Sequence, residues 1–139
     1  MRTVDIEEAR AVHSRILVFD GHNDTPVERV HRGEAPLNWM QRDPAYHMDV
    51  PRMREGGFDS GFFIVGNGPT ADVMYTLERT LQQIDAHPDA LRLILSSQDV
   101  EEARTRDQIG ILMAIEGAQR WLRGELTAAA RELAHRPRS

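Results

Sequence analysis

The chain has 139 residues and a mass of 15.8 kDa, with 40% hydrophobic and 28% charged residues. These proportions exclude a disordered acidic tail or a fibre and fit one globular domain. The length excludes a complete eight-stranded α/β barrel, which needs roughly 250 residues. Seventeen Lys plus Arg against 22 Asp plus Glu give a net charge of -5. The arginines are interspersed with acids, so nucleic acid is not an expected partner. With no cysteine, any metal must be held by histidine and carboxylate. Met1 to Ala9 carries acids and has no apolar core, so it does not read as a signal peptide. The longest apolar runs fall far short of a membrane span. The expected location is the cytoplasm.

In chain order, Asp5 to Arg15 reads as a helix with Ala9, Val12 and Ile16 in an apolar stripe. The run Ile16 to Phe19 predicts a short buried strand that stops at the polar stretch Asp20-Gly21-His22-Asn23-Asp24. Thr25 to Asp49 is expected to be irregular, because Pro26, Gly33, Pro36 and Pro44 break any period. A connection of about 25 residues is long for a compact domain, and such loops are commonly functional. Asp49 is positioned to cap a short helix with Pro51 in its first turn, ended by Gly56-Gly57. Phe58 to Val65 has the composition of a strand. Gly66-Asn67-Gly68-Pro69 closes it as a turn and lacks the glycine pattern and lysine of a phosphate-binding loop.

Ala71 to His87 is the clearest helix, with Met74, Leu77, Leu81 and Ile84 at helical spacing and Pro88 at its end. Leu91 to Leu95 is a further short strand. Ser96 or Ser97 can cap a helix running through Arg106, with Val100 and Ala103 inward. Ile109 to Ile115 suits a strand buried on both faces. Leu122 to Ala134 reads as a last helix, and Arg136 to Ser139 as a frayed end. This alternation predicts the α/β class, with about four parallel strands and covering helices.

The chemistry concentrates at two strand ends. If extended backbone persists through Asp24, His22 and Asp24 point to the same side. An imidazole and a carboxylate there can clasp a divalent ion at the carboxyl edge of the sheet, where parallel α/β folds place their sites. Glu116 follows the strand Ile109 to Ile115 and reaches the same edge; its two oxygens could bridge two metals. The residues alone leave a second reading open, in which the polar cluster is an Asx turn or helix cap and Glu116 pairs with Arg120. His31 and His47 in the long loop read as solvated, His13 and His87 as surface residues on helices, and His135 as exposed. Trp39 and Trp121 read as packing residues.

The same residues carry a family likeness. Val18-Phe19-Asp20-Gly21-His22-Asn23-Asp24-Thr25-Pro26 closely resembles the opening metal-binding motif of the renal, or membrane, dipeptidases, zinc metallopeptidases of the amidohydrolase superfamily. Asp49 to Gly57 followed by Phe58 to Phe63 resembles the segment leading into that family's second strand. Ala114-Ile115-Glu116-Gly117 resembles the strand end that supplies its bridging glutamate. The resemblance implies that His22 and Asp24 ligate a first zinc. It further implies that Glu116 bridges two zincs around the water that attacks a dipeptide carbonyl. It also implies a (β/α)8 TIM-type barrel, frequent dimers, and dipeptide or small amide substrates, some with D-residues and some β-lactams.

Departures bear on what the chain can do alone. The family's two histidines of the second zinc site, its substrate-orienting histidine and its proton-transfer aspartate map onto no residue here. Ala118 stands where a second glycine is common. Residues 1–139 are therefore expected to form the amino-terminal part of a dipeptidase-like barrel domain, with weak or absent turnover alone. An open sheet edge would make it marginally stable or drive self-association as a homo-oligomer. The rival expectations are a non-catalytic fragment or interaction module, and another amidohydrolase-like hydrolase such as a deaminase or cyclic amidase. Those relatives more often carry His-x-His after the first strand, so Asp24 favours the dipeptidase.

Overall fold

A computed structural model of the chain describes residues 5–32 and 38–118. The expected helix at Leu122 to Ala134, with Trp121, His135 and the segment Arg136 to Ser139, lies outside the described residues. The elements are α1 (Ile6–His13), β1 (Phe19–Asn23), α2 (Thr25–His31), α3 (Val50–Glu55), β2 (Ser60–Gly66), α4 (Thr70–Ala86), β3 (Leu91–Leu93), α5 (Ser97–Thr105) and β4 (Ile109–Ile115). Four parallel strands with helices between them form the α/β architecture anticipated from the alternation. Among the described residues no helix is long and apolar enough to cross a membrane.

The strand order is β1-β2-β4-β3. A barrel wound in strict sequence would place the third strand beside the second. Here β3 has only three residues and pairs with the lower half of β4, Leu91 with Ile109 through Leu93 with Ile111. β2 therefore pairs directly with β4 along its whole length. The edge expected to be open on β4 is covered up to Ile111, whose carbonyl accepts the Ile94 N–H at 3.0 Å. Burial along β4 falls in step: Ile109 to Ile111 are buried, while Ile115 is 36% exposed.

The main core lies on the sheet face that carries Phe63 and Ile111. Trp39, Val50, Met53, Ile84 and Leu91 close over them, and the Trp39 and Phe63 ring centroids are 5.3 Å apart. Truncating a residue such as Phe63, 1% exposed, to alanine costs about 3–5 kcal/mol. At the base of the sheet Asp59 ties strands together. Its Oδ2 accepts the Val18 N–H at 2.7 Å, and its carbonyl accepts the Gly110 N–H at 2.8 Å.

Several elements differ from the sequence reading for identifiable reasons. β1 begins at Phe19 and runs through Asp20-Gly21-His22-Asn23, so the polar stretch is the strand and not the turn after it. Pairing with β2 holds it extended. Thr25 to His31 is helical because Pro26 sits in the first turn, where a missing N–H costs nothing. The buried face of α4 is Val73, Thr76, Thr80 and Ile84, whereas Met74 is 53% exposed. Thr76 can be buried because its hydroxyl donates to the Asp72 carbonyl at 2.8 Å. The stripe on α1 is uncovered among the described residues: Val12 and Ile16 are 48% and 51% exposed.

The caps behave as the residues suggest. Asp49 caps α3 through the Arg52 N–H, and Ser96 with Asp99 forms a reciprocal capping box on α5. Hydrogen bonds from Ser96 and the Leu95 N–H, with help from Arg92, hold the Asp99 carboxyl below its ordinary pKa against the opposing effect of burial.

Candidate metal centre

His22 lies near the end of β1, Asp24 precedes the first residue of α2, and Glu116 follows β4 directly. With β2 between β1 and β4, all three stand at the carboxyl edge of one sheet. Two interruptions of regular pairing shape that edge. Between Asp20 and Asn23, β1 advances three residues while β2 advances two, from Gly61 to Phe63. Such a bulge re-aims the side chain it carries, here His22. Between Ile64 and Gly66, β2 advances two residues while β4 advances one, from Ala114 to Ile115. The Glu116 N–H then donates to the Gly66 carbonyl at 2.8 Å. Gly117 turns the chain behind the carboxylate with φ of 61°, a conformation that favours glycine. Gly66 is itself fixed against α4, since a Cβ there would lie 2.5 Å from Val73 Cγ2.

Asp24 takes the N-cap position of α2, yet its side chain caps nothing. Asn23 Oδ1 accepts the Thr25 N–H at 3.0 Å instead, which leaves the Asp24 carboxylate free to turn toward His22. His22 Nε2 is 3.4 Å from Asp24 Oδ1 and 4.0 Å from Glu116 Oε2. One donor atom from each residue lies within 4.8 Å of the others. Donors about 2.1 Å from a tetrahedral ion are roughly 3.4 Å apart, so one ion fits this set with small side-chain adjustment. One imidazole with two carboxylates suits zinc and neighbouring divalent metals. The three side chains are 51%, 49% and 50% exposed, so the cluster opens to solvent.

The three residues lie together in space, but by a different route from the one expected. A bulge and a helix start bring His22 and Asp24 to one side, where continued extension was expected. The remaining histidines do not join the cluster among the described residues. His47 is exposed, His13 and His87 are half-buried, and the side chains of His31 and His135 lie outside the described residues. Sequence reasoning set an Asx turn against a metal site as alternatives, whereas Asp20 and Asn23 make such turns directly beside His22 and Asp24.

Comparison with known proteins places these features in a family. The family model for membrane dipeptidase, peptidase family M19, matches residues 6–134. A solved structure described as dipeptidase AC, a metallopeptidase of family M19, is 24% identical, with a TM-score of 0.63 over 74% of this chain and 36% of that one. A metallopeptidase from Rhodobacter sphaeroides, liganded with a phosphinate mimic of the dipeptide L-Ala-D-Ala, is 20% identical, with a TM-score of 0.64 over 85% of this chain and 43% of that one. The probable dipeptidase PvdM from Pseudomonas aeruginosa is 15% identical, with a TM-score of 0.61 over 78% of this chain and 30% of that one. At these identities the structural likeness speaks to the fold, and the chain spans less than half the length of each of these relatives. No curated protein sequence matches. The match to the family model covers nearly the whole chain, and the chain belongs to the membrane dipeptidase family, peptidase family M19.

Proposed function

We infer that the chain carries a metal-binding part of a dipeptidase centre, with His22, Asp24 and Glu116 as ligands, zinc as the ion and dipeptides or small amides as substrates. The observation that carries this reading is the convergence of their donor atoms within 4.8 Å at the carboxyl edge of the sheet, in a chain of this peptidase family. A divalent ion held there would supply Lewis acidity, polarising an amide carbonyl and acidifying water. His22 and Asp24 would hold the ion from the β1 side. Glu116 would hold it from the β4 side, and a carboxylate's second oxygen could serve a second ion. Their exposure leaves the face above the sheet open for a substrate carbonyl.

The test is direct. Isothermal titration of the metal-stripped chain with Zn²⁺ is expected to show about one ion bound per chain through a three-donor set. His22→Ala, Asp24→Asn and Glu116→Gln are each expected to weaken that binding severely. An L-Ala-D-Ala hydrolysis assay on the loaded chain then measures how much of the reaction these residues support. Zinc binding that survives all three substitutions unchanged would remove the assignment.

A further inference from the structure

Asp20 and Asn23 alternate with the ligands His22 and Asp24 along the same short segment, and their side chains are spent on each other and on the backbone that carries those ligands. Asp20 Oδ1 accepts the His22 N–H at 3.0 Å. Asp20 Oδ2 accepts a proton of the Asn23 amide at 3.1 Å. Asn23 Oδ1 accepts the Thr25 N–H at 3.0 Å. The chain is thereby pinned immediately before and after each ligand. The Asn23 Nδ2 also lies against Met48 Sδ, which anchors the segment to the loop that precedes α3. Asn23 is only 6% exposed, so its polar atoms depend on these partners.

Two features separate this arrangement from an ordinary turn. The bulge falls on the residues between Asp20 and Asn23, where the ladder no longer fixes the backbone and something else must. And Asp24 stands at a cap position without capping. Asn23 performs that task from one residue earlier and releases the Asp24 carboxylate toward His22.

We propose that Asp20 and Asn23 are positioning residues for the metal centre, a reciprocal side-chain clasp that sets the spacing of His22 and Asp24. This rests on the metal reading above. Ligands held by fixed hydrogen-bond partners bind metal more tightly than loose ones, and loss of such a partner typically costs 10–100-fold in affinity.

The clasp makes a specific demand, since its donor and acceptor can be exchanged. Asp20→Asn alone leaves one oxygen where two are used, so either the His22 N–H or the Asn23 amide faces a donor, and Asn23→Asp alone sets two carboxylates against each other. The double variant Asp20→Asn/Asn23→Asp restores a donor facing an acceptor. It leaves an oxygen for the His22 N–H and one for the Thr25 N–H, at unchanged net charge.

The experiment measures Zn²⁺ affinity by competition with a chromophoric chelator, and Co²⁺ ligand-field spectra, on the full chain. Urea unfolding of each variant runs in parallel. Each single variant is expected to lose about 10–100-fold in Zn²⁺ affinity and to change the Co²⁺ spectrum. The double variant is expected to return to within about twofold of the parent affinity, the usual error of additive behaviour. Asn23→Ser, which keeps an oxygen for the start of α2 but drops the amide held by Asp20, is expected to stay folded and still lose affinity. Parent-like affinity in the folded single variants overturns the proposal, as does a double variant that fails to bind or to fold. A parent chain whose zinc binding survives His22→Ala refutes the metal reading instead, so the two failures are told apart.

Discussion

Replacing Asp49 with alanine is expected to cost about 3 kcal/mol, because one buried carboxylate serves two structures at once. Asp49 is 0% exposed. Its Oδ1 accepts the Arg52 N–H at 2.9 Å as the N-cap of α3, an interaction worth about 1 kcal/mol. Its Oδ2 accepts the Arg52 Nε at 2.6 Å and faces the Arg52 terminal nitrogen at 2.5 Å. Removing one partner from a fully buried pair costs about 3–5 kcal/mol. Here Arg52 is 28% exposed and keeps a 2.8 Å bond to the Asp43 carbonyl. It can rehydrate, so the pair's share falls to about 2 kcal/mol.

Asp49→Asn keeps an oxygen for the cap and loses the charge, so it should lose about 2 kcal/mol and alanine about one more. The pH dependence follows from the same geometry. Burial alone would raise the Asp49 carboxyl, but hydrogen bonds from Arg52, its charge and that of Arg42 outweigh this and hold its pKa below the ordinary value. A folded-state pKa below the unfolded one gives stability that is complete above the unfolded value of about 3.9. That stability is lost as pH falls through the depressed value. Urea unfolding followed by circular dichroism, at neutral pH and stepwise below pH 4, measures both quantities. The reasoning fails if Asp49→Ala loses less than about 1 kcal/mol, or if Asp49→Asn shows the same acid limb as the parent.

Two further substitutions test the packing. Gly110 lies in central β4, and a Cβ there would sit 2.9 Å from Ser60 Cβ and 3.0 Å from Ile94 Cδ1. Gly110→Ala is expected to cost about 2–3 kcal/mol in urea unfolding, and Ser60→Gly in the same chain to recover most of it; an undiminished midpoint for the single variant counts against the strand register. On α4, Met74→Lys should stay within about 0.5 kcal/mol of the parent. Val73→Ala should lose about 2 kcal/mol, and the reverse ranking of their urea midpoints would restore the face expected from sequence.

The His22, Asp24 and Glu116 cluster was legible because its residues fall at strand ends within recognisable blocks, and strand ends are marked by abrupt changes in polarity. The bulge that aims His22 was not legible, since it is a property of two strands in register and Gly61 to Phe63 carry no local sign of it. Pro26 reads as a breaker in the sequence because proline ends helices and also begins them, and only the backbone before it decides between the two. The buried face of α4 was hidden by threonine, which counts as polar in any periodicity although Thr76 satisfies its hydroxyl within the helix. The place of β3 outside β4 could not be read from three residues, because strand order is fixed by contacts distant in sequence.

The position of β4 between β2 and β3 also bears on how the chain assembles. Leu91 meets Ile109 eighteen residues on, whereas Ser60 finds Gly110 fifty residues on. Loop-closure entropy rises with the logarithm of separation, and non-local pairing slows folding. The β3-α5-β4 unit therefore closes at the lower entropic cost, and its docking on β2 is the demanding step. Glu116 travels at the end of that unit to meet Asp24, ninety-two residues earlier in the chain. A cation held by the trio would thus join β1 to β4 across β2 and act as a latch on the topology of the sheet.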